Sequence, residues 1–484
     1  MVAEKSKKII VLGGGFAGTW AAYNLAVSGH TVFLLEKRPV LGGLSRVCKI
    51  NQNYYELGSH LFHTDSQPLL DKFQSLFPGE FLEVERFFRI KFNDQFFRYP
   101  LTMVDIIRGL GFKTNLQCFV SLVFYLVKGK LKKVKYQTAE DVLIYRFGKK
   151  LYTVFFEDYI EKFWGVHPRQ LDASFAIRRI SRLDVSDFFK KIFVFFQDAF
   201  KFRRKASPGT TGSQKDKFIE PVVGKLFYNK HGGMHRIFEK LASEIKSHGG
   251  HVFTEVRGLH MGVQGERATQ VAFECLGEHH ELTCDEVISS IPLSELVKSI
   301  QIPQKKDIEQ NLEKIRYRSL IVVGILVKRS SVMPSLLTYY RNLSFNRLTE
   351  PKNYGLEIYP KGCTILLAEV SCEKTDRLWQ EDDLVKKQVI GDLVRENIIQ
   401  EEEVLEVHVL KDEHAYPVFL NDYPVHLEQI ASWLSQFENI YSIGRQGMFQ
   451  YVNQHVVMKM AEKVVENINA NLTKKQAGQH YYYY

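Results

Sequence analysis

Lys8-Ile9-Ile10-Val11-Leu12-Gly13-Gly14-Gly15-Phe16-Ala17-Gly18 is the stretch from which the fold can be read. An apolar run reads as a buried strand. It breaks into a G-x-G-x-x-G turn, continues with helical periodicity from Thr19 to Ser28, and returns to an apolar run from Thr31 to Leu35. Strand, glycine turn, helix and strand in that order are the βαβ context of a dinucleotide site. Gly13 permits the tight turn, Gly15 lets the backbone approach a pyrophosphate, and Gly18 allows close helix–strand packing. The helix start adds unpaired N–H groups and a partial positive charge. Glu36 ends the second strand, where a carboxylate can accept from ribose hydroxyls.

Working outward, Glu36-Lys37-Arg38-Pro39-Val40-Leu41-Gly42-Gly43 adds a second glycine turn just after the acid. The pattern resembles flavoproteins of the glutathione reductase type, in which the later turn lies along the FAD, so FAD is expected rather than NAD. The resemblance implies cofactor contacts from Gly13, Gly15, Phe16, Ala17, Gly18, Glu36, Lys37, Gly42, Gly43 and Leu44, joined by Val256, Gly444 and Met448. The expected fold is α/β. A Rossmann-like FAD-binding domain carries an inserted helical domain and a second α/β or sheet-based substrate domain.

With 484 residues, 45% hydrophobic and 25% charged, the chain can bury a large core in two or three intertwined domains. Six scattered cysteines include no C-x-x-C pair. They read as reduced, buried thiols of a cytoplasmic protein, with no metal site. The N-terminus runs directly into the first strand and leaves no room for a signal peptide. The longest apolar stretches, such as Cys118 to Val127, fall short of the ~18–20 residues of a spanning helix. A net charge of +10 favours an acidic partner. No nucleic-acid-binding motif accompanies it, so a nucleotide or a membrane surface is the better match.

The segments divide as follows. Residues 1–100 read as the first part of the FAD-binding domain, with a helix from Pro68 to Phe77 and a strand-like stretch from Phe87 to Phe97. Residues 101–205 read as a helical insertion (Leu101–Leu110, Leu116–Val127, Thr138–Lys162, Asp184–Arg203). Residues 206–250 hold a turn-rich linker, Ala206 to Lys217, and a helix from Gly233 to Ser247. Residues 251–300 form the middle of the FAD-binding domain, with strands Val252–Val256 and Glu286–Ser290. Residues 301–425 form a sheet-containing substrate domain that includes Ser319–Lys328. Residues 426–472 complete the FAD-binding domain with the strand Ile440–Ile443 and a helix from Asn453 to Asn469, and 473–484 is a tail ending in Tyr481–Tyr484. Such interleaving places a site in the crevice between domains.

Distant blocks then carry a more specific resemblance. Gly58-Ser59-His60-Leu61-Phe62-His63-Thr64 is similar to a G-x-H-x-F-H-T loop. Tyr159-Ile160-Glu161-Lys162-Phe163-Trp164-Gly165, followed by Pro168 to Ser174, resembles Y-T-x-K-x-W-G and P-x-x-L-x-A-S. The run Phe345 to Lys352 resembles Y-x-R-x-x-E-x-K, and Ala415-Tyr416-Pro417 and Gly444 to Tyr451 match A-Y-P and G-R-x-G-x-x-x-Y. In this order, over nearly the whole chain, they resemble UDP-galactopyranose mutases, within the broader protoporphyrinogen oxidase and amine oxidase superfamily. Two departures stand out: Val452-Asn453-Gln454-His455 replaces an acidic D-M-x-Q-like run, and Phe188 to Lys217 has no counterpart.

The resemblance implies an FAD-dependent mutase. It would isomerise a nucleotide-linked sugar between pyranose and furanose forms through a reduced-flavin N5 adduct, for cell-surface polysaccharide synthesis. His60 and His63 would lie beside the flavin ring. A diphosphate needs planar bidentate donors, which arginine supplies better than lysine. The pattern A-S-x-x-x-R-x-x-x-R lands on Arg178 and Arg182, with Arg182 on a loop closing over the diphosphate, and Arg347 and Arg445 are placed at the active site by their blocks. Arg179 breaks that spacing and reads as a helix-surface charge. Trp164, Tyr416 and Tyr451 would stack on the base or contact phosphate. Asn453 is a plausible N-cap for a helix aimed at the flavin.

Two alternatives remain open. The fingerprint, the Gly42-Gly43 turn and Gly232-Gly233-Met234 also suit an FAD-dependent oxidoreductase of the protoporphyrinogen oxidase or amine oxidase type, and a non-catalytic flavin-bound scaffold would keep the cofactor residues alone. The Phe- and Lys-rich segment 188–205 reads as a helix packed on its own domain or on a second subunit of a homodimer, or else as an interfacial membrane contact.

Overall fold

The computed structural model describes residues 6–101, 105–106, 109–131, 134–180, 225–302, 306–472 and 474. Five strands form a parallel sheet around the opening segment: β1 (Lys8–Leu12), β2 (Thr31–Leu35), β3 (His251–Phe253), β4 (Glu286–Ser289) and β5 (Ile440–Ser442), in the order β5-β4-β1-β2-β3. Side chains alternate across a strand, so an unbroken apolar run serves a sheet covered on both faces. Ile9 and Val11 face one core with Val32, Leu34 and Ile288, while Ile10 and Leu12 enter the other. Helix α1 (Phe16–Val27) covers the first of these faces.

A second, seven-stranded sheet includes the long strand Arg316–Val327, paired antiparallel with Val404–Val418 at the edge and with Thr364–Cys372 on its other side. It continues through Arg347–Thr349 and Leu337–Tyr340 to a hairpin, Phe88–Phe92 with Gln95–Tyr99. The segment read as 1–100 is therefore divided: its last strands belong to the far sheet. Alternation from Phe87 to Phe97 does not separate one strand from two. The chain reverses at Asn93, whose φ of +51° suits asparagine. A four-stranded sheet takes Arg257–Gln264, Arg267–Cys275 and Glu278–Thr283 from between β3 and β4, and Ile300–Gln301 from beyond β4.

The insertion supplies helices α2 (Phe112–Leu131), Ala139–Phe147, Lys149–Phe155, Glu157–Trp164 and α3 (Ala173–Arg179). A capping box of Thr138 and Asp141 starts the second of these. The continuous helix expected over Thr138–Lys162 is interrupted at Gly148. There φ is +76°, and a Cβ would lie 2.6 Å from the Leu122 backbone nitrogen on α2. The end of α3 is tied down by Arg146, whose guanidinium donates to the carbonyls of Ala176 at 3.0 Å and Ile180 at 2.7 Å. Helix α4 (Gln454–Asn469) closes the fold against α1.

Four of the six free cysteines are buried, and Cys48 and Cys284 are half-buried. No helix among the described residues is long and apolar enough to cross a membrane. The expected helix Asp184–Arg203, the segment 188–205, the linker Ala206–Lys217 and Tyr481–Tyr484 lie outside the described residues.

Candidate active site

A cavity of about 880 Å³ runs between the two large sheets, from the glycine turns to a cluster of arginines and tyrosines. At its floor the two turns hold each other: the Gly42 N–H donates to the Gly14 carbonyl at 2.7 Å. A Cβ at Gly43 would stand 3.0 Å from the Gly15 Cα. At Gly13, φ is +95° and a Cβ would meet the Ser290 hydroxyl at 2.7 Å. Gly15 differs, because a Cβ there would find only Gly43 at 3.8 Å. Protein packing does not require Gly15 to be bare, whereas a ligand approaching the start of α1 does. Glu36 is spent partly on the turn itself, accepting from the N–H groups of Gly14 at 2.7 Å and Arg38 at 2.9 Å.

One wall comes from the far sheet. Asp412 binds Arg46 at 2.6 Å and Arg38 at 2.8 Å. Burial alone would raise its pKa, but the two guanidiniums hold it below the usual carboxylate range. Arg46 also donates to the Gly43 carbonyl at 2.9 Å, so the second glycine turn is anchored across the crevice. In the turn after β5 and at the start of the last helix, buried polar atoms lack a protein partner: Nε of Arg445 and the Oε1 atoms of Gln446 and Gln454. A cavity of this size, floored by bare glycines and edged by orphaned donors and acceptors, fits a dinucleotide cofactor.

At the other end lie the histidine loop and the arginines. The ring of His60 has Nδ1 3.1 Å from the Gly58 carbonyl, which can only accept. Nδ1 therefore carries the proton and Nε2 is left as an acceptor. Burial lowers the His60 pKa to about 4, helped by Arg347, Arg445 and Arg46, so the ring is neutral. His63 sits between the Leu61 carbonyl, 3.5 Å from its Nδ1, and the Asn453 amide, 3.4 Å from its Nε2. Asn453 does precede α4, but its side chain goes to His63 rather than capping the helix.

Arg347 pairs with the buried Glu369 and donates to the Tyr416 hydroxyl at 3.0 Å. Burial opposes its charge, yet Glu369 holds the pKa well above the ordinary value. Arg445 lies 5.1 Å from the Tyr416 ring and 4.1 Å from the Tyr451 ring, and burial lowers its pKa to about 10. Arg179 lies 3.4 Å over the Tyr451 ring. Burial disfavours a Tyr451 phenolate, but Arg179, Arg445 and Arg347 together bring the pKa below the ordinary tyrosine value. Tyr416, 5.6 Å from Tyr451, is moved upward by burial.

The cavity thus brings together Gly13, Gly15, Phe16, Ala17, Glu36, Lys37, Gly42, Gly43, Leu44, His60, His63, Val256, Arg347, Tyr416, Gly444, Arg445 and Tyr451. Gly18 is not on the lining. A Cβ there would lie 1.9 Å from the Gly13 carbonyl, so it serves helix–turn packing. Met448 packs behind the wall, against the core shared with α1 and α4. Trp164 forms a layer behind the two tyrosines, with centroids 5.9 Å from Tyr416 and 5.7 Å from Tyr451, and is buried, so it backs the site rather than lining it. Arg178 does not line the cavity, and Arg182 lies outside the described residues. Its neighbour Arg179 overturns the expectation of a surface charge, because α3 turns that residue onto Tyr451. Sequence reasoning also assigned no role to Glu369, Arg46, Asp412 and the half-buried tyrosines Tyr159 and Tyr339, which share the field of Arg347 and Tyr451. Three of them sat in or near a motif: Tyr159 opens the Tyr159–Gly165 block, Arg46 is three residues past the second glycine turn, and Asp412 is three residues before Ala415.

A glycine-floored crevice beneath a parallel sheet, opening onto a sheet-walled second compartment, defines a dinucleotide-type flavoprotein. The pattern of flavin containing amine oxidoreductases matches residues 16–446, and the chain belongs to that family, whose cofactor is a flavin. Over 185 residues it is 29% identical to a probable UDP-galactopyranose mutase of Klebsiella pneumoniae, covering 38% of this chain and 47% of the relative. Over 189 residues it is 28% identical to a dTDP-fucopyranose mutase of Escherichia coli, covering 38% and 49%. The chain thus spans about half the length of these curated relatives. The crystal structure of reduced UDP-galactopyranose mutase superposes with a TM-score of 0.79 at 19% identity, covering 99% of this chain and 97% of that one, a likeness of fold.

Proposed function

We propose that this protein is an FAD-dependent mutase that interconverts pyranose and furanose forms of a nucleotide-linked sugar, with the reduced cofactor as the working form. One observation carries the reading: Arg179, Arg347 and Arg445 converge on Tyr416 and Tyr451 at the end of the cavity beyond the glycine cradle. Three guanidiniums suit a diphosphate and repel an amine cation, which disfavours amine oxidation. The two curated relatives, both named as sugar mutases, point the same way.

Gly13, Gly15, Gly42, Gly43, Glu36 and the start of α1 would hold the FAD, with Arg38 and Arg46 fixed nearby by Asp412. A reduced flavin, when bound, supplies a nucleophilic ring nitrogen and regains its electrons by the end of the cycle. The chain's own residues do the rest. Arg347, held in place by Glu369, and Arg445 stabilise the departing diphosphate, with Arg179 at the outer side and Arg182 as a further donor. Neutral His60 offers Nε2 as an acceptor, and Tyr451 is the most acidic hydroxyl at the site, suited to passing a proton to and from the sugar oxygens. In this reading residues 1–100, 251–300 and 426–472 form the cofactor side, less the hairpin Phe88–Tyr99. Residues 101–205 and 301–425 form the sugar side.

The test is incubation of dithionite-reduced protein with UDP-galactopyranose and related nucleotide sugars, followed by chromatography for the furanose. Turnover by the reduced form alone is expected. Oxygen consumption with an amine or a porphyrinogen, and no furanose, would overturn the reading.

A further inference from the structure

Helix α2 is turned the wrong way for a helix of a water-soluble domain. A surface helix ordinarily keeps its apolar stripe inward. Here Phe112, Leu116, Val120, Phe124, Val127 and Leu131 are between 51% and 84% exposed. At 100° per residue all six fall within an arc of about 120°, along a helix about 30 Å long. Cys118 and Leu122, on the other side, are buried and hold α2 to the helices that follow. The outward face is therefore one continuous apolar ridge rather than scattered exposed residues.

Charge is arranged around it consistently. Lys113, Lys128 and Lys130 are exposed beside the ridge, Lys135 follows just beyond, and α2 contains no aspartate or glutamate. The exposed Lys128 has its ammonium 5.6 Å from the Tyr125 ring and 6.0 Å from those of Phe124 and Tyr145, which sets its charge at the margin of the ridge. The helix is not apolar enough to span a bilayer. An apolar face flanked by lysines alone is the design of a helix lying in the headgroup boundary. Pairing with a second copy through this ridge would set lysines against lysines with no acid on α2 to answer them.

We propose that α2 is an interfacial helix by which the protein sits on an anionic lipid surface. The full chain should sediment with vesicles of phosphatidylcholine plus phosphatidylserine, far less with phosphatidylcholine alone, and less as salt is raised. Leu116→Gln/Val120→Gln/Phe124→Gln should weaken that binding at least tenfold, and Lys128→Gln and Lys130→Gln about fivefold each, with flavin content and thermal midpoint unchanged. Phe124→Trp should give an indole whose fluorescence is quenched by brominated acyl chains. The proposal fails if wild-type protein ignores the anionic vesicles, or if the triple variant binds them equally well. It fails too if the variant's only effect is to dissolve a dimer, which would assign the ridge to a second copy.

Discussion

The Arg179 guanidinium lies 3.4 Å over the ring of Tyr451, while that of Arg445 lies 4.1 Å from the same ring. Two cations around one phenol bind the ring and acidify its hydroxyl at once. Arg179→Ala is expected to weaken nucleotide-sugar binding about tenfold, the loss of one charge-assisted contact, and to move the Tyr451 titration upward. A phenolate absorbance titration referenced to Tyr451→Phe measures the second effect. An unmoved titration would show that Arg179 does not act on Tyr451.

Gly15 and Gly18 should separate ligand from fold. Gly15→Ala meets only Gly43 at 3.8 Å, so the apoprotein should melt as wild type yet lose its flavin absorbance. Gly18→Ala drives a methyl to within 1.9 Å of the Gly13 carbonyl, and should cost about 1–3 kcal/mol or more of stability. Differential scanning of the apoproteins beside flavin spectra distinguishes the two.

Two buried groups should tilt stability against pH in opposite directions. His60 falls from 6.5 to about 4 on folding, so the unfolded chain binds the extra proton, and stability is lost as pH drops through that window. Glu56 rises from 4.5 to about 7 through burial, although the hydroxyls of Tyr228 and Tyr354 donate to it. The folded chain holds that proton, so stability is lost as pH climbs from 4.5 to 7. The two windows overlap and offset each other between pH 4.5 and 6.5, so thermal midpoints should rise with pH up to 6.5 in Glu56→Gln and fall with pH from 4.5 to 7 in His60→Gln.

Arg347→Ala should abolish turnover and also destabilise the fold by about 3–5 kcal/mol, because Glu369 would be left buried without its cation. Arg347→Ala/Glu369→Gln should recover most of the stability and none of the turnover. Urea unfolding of both variants gives the comparison.

Legibility followed the range of the forces involved. The βαβ unit could be read because apolar runs, helical periodicity and glycine stereochemistry are local, and β2 occupies the expected Thr31–Leu35. The break at Gly148 could not, because its cause is the approach of Leu122, 26 positions away on another helix. The hairpin Phe88–Tyr99 read as part of the first domain because alternation does not name the sheet a strand joins. It pairs with Leu337–Tyr340. Arg178 and Arg179 sit one step apart on α3, about 100° around the helix axis. Spacing favoured the first, and the packing of α3 under Arg146 presents the second.

By itself, then, the sequence determined a dinucleotide-binding βαβ unit, a second glycine turn and an ordered set of histidine, arginine and tyrosine blocks, since each rests on residues that are neighbours along the chain. Tertiary structure alone decided that Gly42 would bond Gly14, that Asp412 would anchor Arg46 across the crevice, and that Arg179, Arg347 and Arg445 would surround Tyr416 and Tyr451. The longest of these, Asp412 to Arg46 and Arg179 to Tyr451, join segments hundreds of residues apart. These long-range pairs exist only because the packed fold fixes where the two large sheets and the inserted helices meet.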